Sequence, residues 1–192
     1  MPFKVVFEQG DGKPARVVVK KVTRWSDDGF PERHKRVIEA LHREGVTTPI
    51  LGMYEHEGEW VQVSHFIGSQ KGRTRMFDAE HRELTPVQKS RIIEEMAKIA
   101  NAGYATPLNA MKVYGGKKGK VGVVDIDYIG TQGVSSEWNK ADAIIEAIAK
   151  FSSNLGVREK LFEAARKTAN KKLKDALTGH YDFYKQGDHR LF

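Results

Sequence analysis

The chain has 192 residues, 40% of them hydrophobic and 30% charged, which suits one domain or one two-lobed unit with a real core and excludes wholesale disorder. It has no cysteine, which excludes disulfides, thiolate metal ligands and cysteine nucleophiles; its seven histidines (34, 42, 56, 65, 81, 180 and 189) form no HExxH or other tight ligand spacing and so argue against a structural zinc. The formal charge of +7 favours anionic partners, while no apolar run is long enough to cross a bilayer and no signal-peptide pattern opens the sequence.

Residues 3–8 read as a strand, the segment 9–14 as a turn, and residues 15–22, with Val17-Val18-Val19-Lys20, as a second strand of one hairpin. Asp27 to Pro31 opens a helix with Val37, Ile38 and Leu41 on its apolar face and Gly45 as its stop. Residues 50–54 and 60–66 make a second hairpin around 55–59. Residues 69–84 are polar and read as a connection. Thr85-Pro86-Val87-Gln88 is a capping-box start for a helix carrying Ile92, Ile93, Met96, Ile99 and Ala100, which Gly103 ends.

Residues 110–114 and 121–126 form a third hairpin around the lysine- and glycine-rich segment 115–120. A helix over 136–151 should turn Trp138, Ala141, Ile144, Ile145 and Ile148 inward. One continuous helix over 156–177 should bury Leu161, Ala165, Ala169, Leu173 and Leu177. The tail 178–192 is polar and aromatic, and its order is open. Hairpins with segregated helices argue an α+β fold. The expected division is a small sheet lobe with one helix at 1–68, a mainly helical lobe with a hairpin at 69–177, and the tail.

That order of elements, over roughly residues 3 to 151, resembles a protein-kinase-like fold. Val17-Val18-Val19-Lys20 is similar to the strand that carries the kinase lysine. Glu39, nineteen positions on, is similar to the helix glutamate that pairs with it; Glu32 is a second candidate. Val61 to Gly68, including Phe66, resembles the strand and hinge that line the adenine pocket. Asn109, before Ala110-Met111-Lys112-Val113, is similar to the catalytic-loop asparagine. Asp125, after Val121-Gly122-Val123-Val124, is similar to the metal-binding aspartate of the DFG motif, with Asp127 in place of its glycine.

The resemblance implies ATP and Mg2+ as cofactors and a protein as phosphoryl acceptor. Asp125 and Asn109 would hold metal, Lys20 the phosphates, and Glu39 would orient Lys20. Independently of any family, an apolar strand ending Asp-x-Asp puts two carboxylates on one side, and hard oxygen ligands of that kind suit Mg2+. The compactness resembles minimal kinases that bacteria and phages express in, or deliver into, host cells, so the expected location is the cytoplasm or a host cell.

Two features depart from the pattern. Gly10-Asp11-Gly12 lies too close to Lys20 for a phosphate loop and reads as a hairpin turn. Five positions before Asn109, where kinases carry the catalytic aspartate, stands Tyr104, so Asp127 is the candidate substitute. Three readings therefore stand: an atypical serine/threonine-type kinase, a pseudokinase that binds nucleotide or a partner, or a basic module for nucleic acid or an acidic protein. Lysines 112, 117, 118 and 120 form a basic patch, as do those of 156–177; each is also readable as a solvated surface. Lys20 and Lys21 are likewise readable as edge-strand lysines, Glu39 as a solvated helix residue, and Asn109 as a loop-shaping residue.

Overall fold

The computed structural model describes residues 3–8, 14–22, 30–67, 76–81, 83–114, 120–124, 126, 129 and 134–187. Strands β1 (Phe3–Glu8) and β2 (Pro14–Lys21) pair antiparallel as the expected first hairpin. Strands β3 (Ile50–His56) and β4 (Glu59–His65) form the second, turning at Glu57 and Gly58, both at positive φ. The four strands make one sheet in the order β1-β2-β4-β3, so β2 lies against β4 rather than at an edge.

Helix α1 (Phe30–Arg43) crosses between β2 and β3. It buries Phe30, His34, Val37, Ile38 and Leu41, a stripe at helical spacing, and packs on β3. Its end has a physical cause. Gly45 takes φ +64, Val46 N–H donates to the Leu41 carbonyl at 2.9 Å, and Gly45 N–H donates to His42 at 3.0 Å. That is the Schellman closure that glycine permits without strain.

Helix α2 (Pro86–Asn101) begins with the expected capping box: Thr85 Oγ1 accepts from Gln88 N–H at 3.3 Å and Gln88 Oε1 from Thr85 N–H at 3.0 Å. Ile92, Ile93 and Ile99 are fully buried, each contributing about 1.5–3 kcal/mol of transfer free energy. Gly103, at φ +106, closes the helix as Gly45 closes α1.

The segment 69–84 is more than a connection. It holds a two-residue strand, β5 (Phe77–Asp78), and a 3-10 turn at Ala79–His81. β5 pairs with β6 (Met111–Tyr114), which pairs with β7 (Lys120–Val123), giving a second, three-stranded sheet in the order β5-β6-β7. β7 ends at Val123, before the expected residue 126; Ile126 is nevertheless fully buried.

Helix α3 (Glu137–Phe151) starts at an Asn139 N–H bond to Ser136 Oγ of 3.1 Å and buries Ala141, Ile144, Ile145 and Ile148. Trp138 does not turn inward as expected. It is 52% exposed, with its ring lying on His180 at 3.3 Å between centroids.

The expected single helix over 156–177 is two, α4 (Leu155–Thr168) and α5 (Lys171–Gly187). Asn170 makes the break. Its Oδ1 accepts from Leu173 N–H at 3.0 Å, capping α5. Asn101, at the end of α2, locks the corner: its Oδ1 accepts from Asn170 N–H at 2.9 Å and its Nδ2 donates to the Thr168 carbonyl at 3.0 Å. α5 runs into the segment whose order the sequence left open. α2 packs on α3 and α4, and α3 on α5. Among the described residues no helix is long and apolar enough to cross a membrane.

Candidate functional site

Side chains alternate along a strand, and directly opposed residues share a face. Lys20 lies opposite Gln62, and Gln62 opposite Met53; Val18 lies opposite Ser64, and Ser64 opposite Ile50. Ile50 and Met53 are buried in the core that α1 covers. Lys20 therefore belongs to the inner face of the sheet, at an exposed position on it. Lys21 belongs to the other face with Val61 and the exposed Tyr54, and forms an ion pair with Glu59. Register thus separates two lysines that the sequence leaves equivalent.

Glu39 is exposed on α1, as is Glu32. Among the described residues no ion pair joins either glutamate to Lys20. Phe66 is half-buried just past β4, where His65 N–H donates to the Pro49 carbonyl at 2.7 Å.

Asn109 is the exposed middle residue of a 3-10 turn, Leu108–Ala110, whose outer residues are buried. It also borders a small cleft of about 110 Å³ with Glu80, Glu146 and Lys150. Its carbonyl accepts from Lys112 Nζ at 2.9 Å, and the same ammonium pairs with Asp78. Lys112 is thus not part of a surface patch: its side chain is only 15% exposed. Of the other lysines in that patch, Lys120 is exposed, whereas Lys117 and Lys118 lie outside the described residues. Asp125 and Asp127 also lie outside them; their neighbours Val123 and Ile126 are both fully buried.

The loop between α2 and Asn109 is held from two sides. Tyr104 packs against the core, and its N–H donates to the Ile99 carbonyl at 3.2 Å. Ser135, ahead of α3, accepts from Ala105 N–H at 2.9 Å and donates its own N–H to Gly103 at 2.8 Å. Thr106 is 2% exposed, and its hydroxyl finds no partner among the described residues.

A second cluster was not foreseen. Glu95, 7% exposed on α2, accepts from Thr47 N–H at 2.6 Å, Thr47 Oγ1 at 3.1 Å and Lys98 Nζ at 2.8 Å. Lys98 Nζ also donates to the Gly45 carbonyl at 3.1 Å, and Val123 N–H donates to the Thr47 carbonyl at 3.0 Å. The loop between α1 and β3 is thereby tied to α2 and β7. Its sequence signal was an acid inside the apolar stripe Ile92, Ile93, Met96, which is costly unless satisfied. Tyr114 lies close by; burial, with a smaller effect of the Glu95 charge, pushes its phenol above the usual range.

Among the described residues no three histidines or carboxylates gather as a metal cluster. Asparagine amide and aspartate carboxylate oxygens are hard donors of the kind Mg2+ takes, and Mg2+ keeps few protein ligands beside substrate phosphates.

No protein-family model matches the chain, and no curated protein sequence matches it. Among solved structures it is similar to the Mycobacterium tuberculosis PknI kinase domain, with 13% identity, a TM-score of 0.48, and coverage of 91% of this chain and 88% of that one. A single-substitution mutant of the same domain gives 13% identity and a TM-score of 0.50, covering 94% and 90%. The chain has an α+β, protein-kinase-like fold with a reduced antiparallel N-terminal sheet.

Proposed function

We propose that this protein binds ATP with Mg2+ and transfers the γ-phosphoryl group to a protein, as an atypical serine/threonine-type kinase. The observation that carries this reading is the register of β2, which puts Lys20 on the inner face of the sheet and leaves Lys21 to pair with Glu59 on the other. Lys20 holds phosphate oxygens, and Glu39 orients Lys20 once the two approach. Phe66 borders the adenine. Asn109 and Asp125 hold Mg2+, whose contribution when bound is to neutralise charge on the phosphates. Asp127 accepts the proton of the substrate hydroxyl.

A second reading, nucleotide binding without transfer, is favoured by one residue. Tyr104 stands where kinases carry the catalytic aspartate, and its loop is fixed by the core and by Ser135. A thermal-shift titration with ATP, with and without Mg2+, is the test, paired with transfer of labelled γ-phosphate to a general protein acceptor. Saturating ligand should stabilise the fold by about 2–3 kcal/mol at a hundredfold excess over Kd. A Mg2+-dependent shift lost in Asp125→Ala and Lys20→Ala, with labelled acceptor, supports the kinase reading. The same shift without label favours the second. No shift at millimolar ATP overturns both, and steeply salt-dependent RNA binding would then put the basic surfaces first.

A further inference from the structure

We infer that Lys112 is the positioning residue for Asn109: its ammonium, neutralised by Asp78, fixes the turn that presents the Asn109 amide to a bound divalent cation. This rests on the reading of Asn109 as a metal contact given above.

The turn at Leu108–Ala110 is only one 3-10 turn long. Ala110 N–H donates to Pro107 at 3.1 Å, and Met111 N–H donates to Leu108. Buried Leu108 and Ala110 anchor its inner side. Nothing in those contacts fixes the outer, exposed residue, Asn109. The bond of 2.9 Å from Lys112 Nζ to the Asn109 carbonyl does.

That bond is held in place by its surroundings. Lys112 stands directly opposite Asp78 in the pairing of β6 with β5, so the ion pair spans the two strands at one register position. The Lys112 side chain is 15% exposed and that of Asp78 39%. An ammonium so far removed from water is stable only with its oxygens in place, so it does not wander among rotamers as a surface lysine does. β5 thus has a use out of proportion to its two residues. It delivers a carboxylate that cancels a positive charge which would otherwise oppose cation binding at Asn109. Groups that orient a ligand from behind typically change metal affinity by about 10–100-fold when removed.

The test is Mn2+ binding, followed by electron paramagnetic resonance on the full chain with ATP, beside ATP affinity without metal. Lys112→Met should weaken Mn2+ binding roughly tenfold and leave metal-free ATP affinity within about twofold. Lys112→Arg, which keeps the charge and the donors, should restore most of the loss. Asp78→Asn removes no contact to Asn109, yet should weaken Mn2+ several-fold by leaving the ammonium uncompensated. It also covers the case in which Lys112→Met fails to fold. Unchanged Mn2+ affinity in Lys112→Met or in Asp78→Asn, with Asn109→Ala impaired, overturns the inference and leaves the nucleotide reading standing. Wild-type protein that takes up no Mn2+ with ATP overturns both.

Discussion

A β-carbon built on Gly122 would lie 2.1 Å from the carbonyl oxygen of Thr47. Backbone meets backbone there, because that carbonyl is the acceptor for Val123 N–H. No flexible side chain can yield. Gly122→Ala must push β7 away from the loop after α1, and overpacking of this kind costs about 1–3 kcal/mol, here at the upper end. The expected fall in Tm is roughly 5–10 °C, read by thermal denaturation.

Glu95 satisfies the other side of the same loop. Glu95→Ala leaves Thr47 N–H and Thr47 Oγ1 without their acceptor and the Lys98 ammonium with the Gly45 carbonyl alone. Removing one partner from a buried charged cluster costs about 3–5 kcal/mol. Denaturant unfolding should show that loss, with Lys98→Met costing clearly less because Lys98 is the more exposed partner. Equal losses would show that the ion pair, not the Thr47 contacts, dominates.

His180 makes stability depend on pH. Burial holds its imidazole below the usual range, opposed by the Asp142 charge and a backbone bond to Trp138. The unfolded chain takes up this proton near pH 6.5, about the ordinary value, and the folded chain only at lower pH. Stability from this group is complete above about pH 6.5 and falls as pH drops, until the folded imidazole also charges. Tm should therefore decline between pH 7.5 and pH 5.5. The decline should be shallower in His180→Phe, which isolates this group from the carboxylates.

Asn170→Ala removes the cap of α5 and the acceptor for Leu173 N–H, while its own N–H keeps its bond to Asn101. The expected cost is about 1 kcal/mol, or roughly 2–4 °C in Tm. Hydrogen exchange should locate the loss in the first turn of α5, sparing α2.

Local signals carried most of the fold. The capping box at Thr85 and Gln88, and the glycines at 45 and 103, act within a few residues, so the sequence displays them. What it hid depends on partners far along the chain. The break between α4 and α5 is invisible to periodicity because Ala165, Ala169, Leu173 and Leu177 keep helical spacing straight through it. The deciding contact comes from Asn101. β5 has only two residues, too few for any alternation, and exists because β6 pairs with it. The adjacent lysines at 20 and 21 looked alike until the pairing of β2 with β4 gave each a face. Lys112 read as one more basic residue because Asp78 lies in a segment that offered no structural pattern.

The parity of β2 sets what insertions this protein tolerates. The pairing with β4 runs through Lys21, and Val22 N–H carries it one bond further to the Trp60 carbonyl at 2.8 Å. One residue inserted within β2 ahead of Val18 would exchange the two lysines between faces and carry Val18 with them. Two inserted residues would restore the arrangement. Length variants of this strand should therefore retain or lose the Lys20 environment by odd and even count, whatever residue is added.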